Sequence, residues 1–203
     1  IPGRKALVEA LENVYAGWRM KRMRYIADTV DFQLEEPTVV TLGKFDGRHR
    51  GHQKLLHTME ELKETLGYAT AIFTFSTAPL SLVTGEAATV ITTSEERRHN
   101  MEKMGIDYLV EYPFTDDVRK MDPSVFVKDI LVKRMRAKAM VVGPDCSFGY
   151  KGAGNVELLR SLSKELGFEL YVIQKEKDHR RDISSTYIRE ELSLGNVANT
   201  ADR

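Results

Sequence analysis

The sequence predicts an α/β domain, a parallel sheet with helices on both faces. Three observations predict it. Apolar, β-branched runs recur along the chain, helix-period segments separate them, and the junctions from run to helix concentrate glycine, histidine, serine and arginine. Strand and helix alternating five times call for crossover connections, and crossovers of that kind build a parallel sheet buried on both sides.

The predicted strands are "TVVTLG" (38–43), "TAIFTF" (70–75), "DYLVEY" (107–112), "AMVVG" (139–143) and "ELYVI" (169–173). The predicted helices are 52–66, 94–104, 123–136, 155–166 and 184–194. "TTSEE" at 92–96 reads as a capping residue followed by acids. "DPS" at 122–124 sets Asp122 at the cap and Pro123 in the first turn. Residues 1–35 read differently. "ALVEALENVYAGWRMKRMRYI" has helix-forming composition and ends in the basic cluster Arg19, Lys21, Arg22 and Arg24, read as a solvated or upstream segment.

Bulk composition excludes several function classes. The 203 residues suffice for one domain with a real core. Lys plus Arg and Asp plus Glu both total 30, so no global field attracts nucleic acid or an anionic membrane. The single cysteine, Cys146, cannot form an internal disulfide, which fits a reducing compartment. No run approaches the roughly 18 apolar residues of a membrane span, and the first ten residues lack a signal-peptide layout. A cytoplasmic protein is the expectation.

Ligands of open α/β sheets sit beyond the carboxyl ends of the strands. The first junction, "GKFDGRHRGH" (43–52), holds Gly43, Gly47 and Gly51 with His49 and His52. It is neither a G-x-G-x-x-G nor a Walker loop. Glycines admit a close ligand, and a helix start offers free N–H groups to an anion. His49 and His52, three apart, share one side of a first turn; a metal is disfavoured because a third ligand is not evident nearby. Imidazoles there suit phosphate oxygens.

The second junction, "FTFSTAPLSLVTG", either lines a pocket for a flat aromatic group or is an exposed turn. The junction "VVGPDCSFGYKGAGNVELL" (141–159) places Asp145 and Phe148 at the sheet's carboxyl edge. There a carboxylate can accept from a ribose or base and a ring can stack; a surface loop accounts for its glycines equally well. Cys146 reads as a small packing residue. The last junction, "RRDISSTYIREEL" (180–192), brings Ser184, Ser185 and Thr186 to a helix start with Arg189 beyond, a set suited to polyphosphate.

These motifs resemble the adenylyltransferase domain of the bacterial bifunctional riboflavin kinase/FMN adenylyltransferase (FAD synthetase) family. "GKFDGRHRGH" is similar to its H-x-G-H signature, "GPDCSFGYKGAG" to its Gly-x-Asp/Asn-x-x-Phe-Gly loop, and "ISSTYIR" to its Ile-Ser-Ser-Thr-x-Ile-Arg element. The resemblance runs from about Met23, a plausible natural start, to the end. Residues 1–22 are an expected extension and 23–203 the expected domain.

The resemblance implies a Rossmann-like nucleotidylyltransferase fold and the reaction of FMN with ATP and Mg2+ to give FAD and pyrophosphate. His49, His52 and Arg189 would be the catalytic, phosphate-contacting residues. Gly43, Phe45, Asp46 and Gly51 would shape the nucleotide site, with Asp145, Phe148 and Gly149 near the adenosine. Ser184, Ser185 and Thr186 would hold phosphates from the other side, and Phe75 and Pro79 would lie near the flavin. No metal ligand is assigned. The chain departs from the family's Phe-x-Pro-His-Pro-like stretch at "FSTAP", where Ala78 replaces the histidine. A riboflavin kinase domain would follow the last residues in the family, and no kinase activity is expected of these. The competing readings are a nucleotidylyltransferase for another phosphomonoester (phosphopantetheine or a pyridine mononucleotide), and a non-catalytic nucleotide- or flavin-binding module.

Overall fold

Alternating side chains give the central strands two apolar faces, and each face is covered by its own helices. The computed structural model describes residues 22–45, 50–76, 93–174, 177–178 and 181–182. Its elements in order are β1 (Arg24–Ala27), β2 (Thr38–Leu42), α1 (Arg50–Leu66), β3 (Ala69–Phe75), α2 (Ser94–Lys103), β4 (Tyr108–Tyr112) and α3 (Asp116–Arg119). There follow α4 (Pro123–Val125), which runs into a π-helical segment (Phe126–Arg134), then β5 (Ala137–Val142), α5 (Val156–Leu166) and β6 (Glu169–Val172). A short antiparallel pair, β7 (Lys177–Asp178) and β8 (Arg181–Asp182), lies apart from the main sheet.

Six strands form one sheet in the order β1-β4-β3-β2-β5-β6, all neighbours parallel. The predicted strands fall within two residues of the observed ones. The sheet face of Val40, Phe73, Val110 and Met140 packs with Phe126, Val127, Ile130 and Leu131 of the π segment and with Val156, Leu159 and Leu162 of α5. The opposite face, with Val39, Ile72, Leu109 and Val141, packs with Leu56 and Met59 of α1 and Met101 of α2. This is a three-layer, Rossmann-like α/β fold.

The predicted caps form as read. Thr93 and Glu96 make a reciprocal capping box: Glu96 N–H donates to Thr93 Oγ1 at 3.1 Å and Thr93 N–H to Glu96 Oε2 at 2.8 Å. Asp122 Oδ1 accepts from Ser124 and Val125 N–H at 2.8 and 3.2 Å, with Pro123 in the first turn.

Two expectations are corrected. The helix-forming reading of the N-terminal segment fails at Arg24–Ala27, which is a strand. It pairs with β4, starting from Arg24 N–H to the Asp107 carbonyl at 2.8 Å, because β4 would otherwise carry an open ladder edge. The predicted helix 123–136 is π-helical from Phe126, closed by the five-residue bond from Met135 N–H to the Ile130 carbonyl at 2.9 Å. It stops at Arg136, whose φ is +54°. Among the described residues no helix is long and apolar enough to cross a membrane.

Candidate active site

The strand order sets the site. From β2 the chain adds β3 and β4 on one side, then crosses back to add β5 and β6 on the other. The strand order thus reverses between β2 and β5, the kind of switch point beside which open α/β sheets take their ligands. The loops leaving these two strands carry "GKFDGRHRGH" and "GPDCSFGYKGAG".

After β2, Gly43 N–H still bonds the Phe73 carbonyl at 3.1 Å, and then the chain turns sharply. Phe45 takes φ +49° and sends its ring down into the core, where it is 6% exposed and meets Val39, Leu56, Ile72 and Val141. The ring passes under Gly43, where a Cβ would stand 3.2 Å from Phe45 Cε2, a tight contact that glycine avoids. The helix α1 begins directly afterwards, and His52 in its first turn lies on the Phe45 ring with centroids 4.7 Å apart. Gly43, Phe45, Gly51 and His52 are thus one unit: an apolar anchor below, an imidazole and the positive end of a helix above. Asp46 and His49 lie outside the described residues.

After β5, Gly143–Cys146 forms a turn, Cys146 N–H to the Gly143 carbonyl at 3.2 Å, with Pro144 and Asp145 at its corner. Asp145 is exposed at the carboxyl edge. Burial and the neighbouring Asp145 push the Cys146 thiol up to about 12, so it stays a neutral, half-buried packing group. Phe148 differs from the expectation that its ring offers a stacking face. It is 8% exposed, lies 5.7 Å from the Phe126 ring, and pairs by backbone with Gly154 in both directions at 3.1 and 2.8 Å. Its apolar surface is taken by the core. Gly149 has φ +72° and ψ −171°, and a Cβ there would stand 2.6 Å from Pro123 Cβ, so the loop is clasped to the start of α4.

Phe75, at the end of β3, meets Phe73 at 5.2 Å and Phe114 at 4.9 Å, both edge-on. Phe114 is an edge residue that the sequence reading passed over. Pro79, Ser184, Ser185, Thr186, Arg189 and the predicted helix 184–194 lie outside the described residues.

Sequence reasoning also missed a buried polar row on the α1/α2 face. Glu111, in β4, is ion-paired to Arg97 of α2, Nη2 to Oε1 at 2.6 Å, with the two side chains 8% and 14% exposed. The Tyr25 hydroxyl donates to Glu111, and its pKa is raised by burial and by that carboxylate. Arg97 Nη1 also donates to the Lys44 carbonyl at 3.4 Å. Beside them Thr41 Oγ1, Thr74 Oγ1 and Arg97 Nε are buried without a hydrogen-bond partner among the described residues. The available signal was a lone charge, Glu111, inside the apolar run "YLVEY".

A parallel sheet whose strand order reverses between β2 and β5 defines an α/β domain of Rossmann-like type. The FAD synthetase family profile matches residues 31–187. The bifunctional riboflavin kinase/FMN adenylyltransferase of Escherichia coli (strain K12) is 32% identical over 165 residues, which is 81% of this chain and 53% of the relative. The chain therefore spans about half the length of the curated relatives it matches. A solved structure of a macrolide-efflux protein from Streptococcus pneumoniae is similar with a TM-score of 0.75 and 25% identity, covering 88% of this chain and 58% of that one. A pantoate-beta-alanine ligase from Francisella tularensis has the same fold at a TM-score of 0.52 and 11% identity, covering 79% and 69%. This chain belongs to the FAD synthetase family.

Proposed function

We propose that this chain transfers the adenylyl group of ATP to FMN. A phosphate oxygen of FMN attacks the α-phosphorus, the bond to the bridging oxygen breaks, and FAD and pyrophosphate leave. One observation carries the reading: His52 sits in the first turn of α1, above a buried Phe45 anchor, at the switch point of a family sheet. An FMN phosphate is already ionised at neutral pH, so the reaction needs no protein nucleophile. Positioning and neutralisation of phosphate charge suffice. The inert Cys146 agrees with that.

His52, with His49 from the same loop, holds triphosphate oxygens whose charge grows during transfer. Ser184, Ser185, Thr186 and Arg189 approach the phosphates from the other side. Gly43, Asp46, Gly51, Asp145 and Gly149 line the adenosine half of the site, while Phe75 and Pro79 border the flavin half. Magnesium, a hard cation suited to phosphate oxygens, would supply charge neutralisation at the triphosphate. Residues 23–203 are the adenylyltransferase unit and 1–22 an extension to it. The relatives pair this activity with a riboflavin kinase; such a unit, in the same polypeptide or in a separate one, would supply FMN, with both acting in the cytoplasm.

The test is direct. Purified protein with ATP, Mg2+ and FMN should release FAD and pyrophosphate in equal amounts, while folded protein that releases neither contradicts the reading. Ala78 is the reason to include phosphopantetheine and a pyridine mononucleotide as alternative acceptors. Transfer to one of these instead of FMN would replace the substrate and keep the chemistry.

A further inference from the structure

The buried pair Arg97–Glu111 lies on no strand-to-helix loop, yet it reaches the one that matters. Arg97 stands one turn into α2, and its guanidinium bridges two groups: Glu111 Oε1 on β4 at 2.6 Å and the Lys44 carbonyl at 3.4 Å. Lys44 is the residue between Gly43 and Phe45, and the Phe45 ring supports His52 at 4.7 Å. Glu111 is itself fixed from a second side by the Tyr25 hydroxyl. A continuous line of contacts runs Tyr25, Glu111, Arg97, Lys44 carbonyl, Phe45, His52.

We propose that Arg97 and Glu111 are positioning residues, which set the backbone of the Gly43–Phe45 turn and through it the orientation of the His52 ring. The catalytic consequence rests on the function proposed above; the orientation itself does not. Two facts favour this over a purely structural pair. Burying two charges gains little over an apolar pair of the same size, so stability alone does not explain it. The guanidinium also ties three elements together, and its planar fork suits that task where an ammonium does not.

The test compares the wild type with Arg97→Met/Glu111→Leu, which fills the space and leaves no unpaired buried charge, and with Arg97→Lys, which keeps the charge opposite Glu111. Two readouts are taken on folded protein: kcat and KM for FAD formation, and the NMR resonance of the His52 Cε1–H. In the wild type that resonance carries the ring-current shift of Phe45. In the double variant it should move toward the value of an unstacked histidine while that of His57, exposed further along α1, stays put. With it kcat should fall about tenfold to hundredfold, KM for ATP changing much less. Arg97→Lys should move both in the same direction by less, and decides the matter if the double variant does not fold. A His52 resonance that stays in place in a folded variant overturns the proposal, as does a moved resonance with unaltered kcat. A wild type that forms no FAD removes the functional reading and leaves the resonance to decide the orientation.

Discussion

The ring of Phe45 lies 35° from the plane of the His52 imidazole, with centroids 4.7 Å apart, so an unusual backbone conformation at one residue supports the side chain of another seven positions on. Phe45 accepts φ +49° because its ring is buried among Val39, Leu56, Ile72 and Val141. The cost of that conformation, about 1–2 kcal/mol, is outweighed by burial of the phenyl ring at about 2–3 kcal/mol. His52 is therefore held from below by a buried ring.

His52→Ala should lower kcat for FAD formation by about a hundredfold or more, the range for loss of one group that stabilises developing phosphate charge. His52 is only partly buried, so the thermal midpoint should change by a few degrees at most. Steady-state kinetics beside a melting curve checks both; an unchanged rate would place the phosphate chemistry elsewhere.

Gly149→Ala should destabilise the fold by about 2–5 kcal/mol. The new Cβ meets Pro123 Cβ at 2.6 Å, and its φ of +72° with ψ −171° is essentially closed to residues with a side chain. Urea unfolding measures the loss. A stability equal to wild type would mean that the loop is not clasped to Pro123.

Asp107 governs acid stability at the other end of the sheet. Burial raises its pKa, but the Lys63 Nζ bond at 2.7 Å, the Thr70 N–H at 2.9 Å and the Thr70 hydroxyl at 3.0 Å outweigh that and hold it below the usual carboxylate range. A folded pKa below the unfolded value of about 3.9 stabilises fully above that pH and fades as pH falls through the folded value. The urea midpoint of the wild type should thus drop more steeply below about pH 4 than that of Asp107→Asn. Parallel curves would contradict the assignment.

Cys146 should resist iodoacetamide at pH 8 in the native state and react readily once unfolded, because its thiol is pushed up to about 12. Cys146→Ser should keep most of the FAD-forming activity. Fast native labelling, followed by mass spectrometry, would show a thiolate that the surroundings argue against.

Much of this architecture was legible in the sequence, for identifiable reasons. The four central strands announce themselves because parallel strands buried on both faces must be apolar throughout, β6 at the edge shows by its own short apolar run, and the Thr93/Glu96 and Asp122/Pro123 helix starts depend only on neighbours in the chain. β1 was not legible, because Arg24–Ala27 is a strand only by virtue of the β4 edge it pairs with. Gly43, Phe45 and His52 were found as a local motif, whereas Arg97 and Glu111 are fourteen residues apart on different elements, and only the packing of α2 on β4 joins them. Phe148 shows the opposite error: its place at the carboxyl edge was foreseen, but whether a ring there faces ligand or core depends on Phe126, and that contact carries no signature in the chain.

The most direct measurement is a crystal structure of the protein with a non-hydrolysable ATP analogue and magnesium. The triphosphate should lie over the first turn of α1, with a phosphate oxygen within hydrogen-bonding distance of a His52 ring nitrogen and the adenosine toward the loop that follows β5. A nucleotide seated away from the β2–β5 switch point, with His52 untouched, would contradict the account.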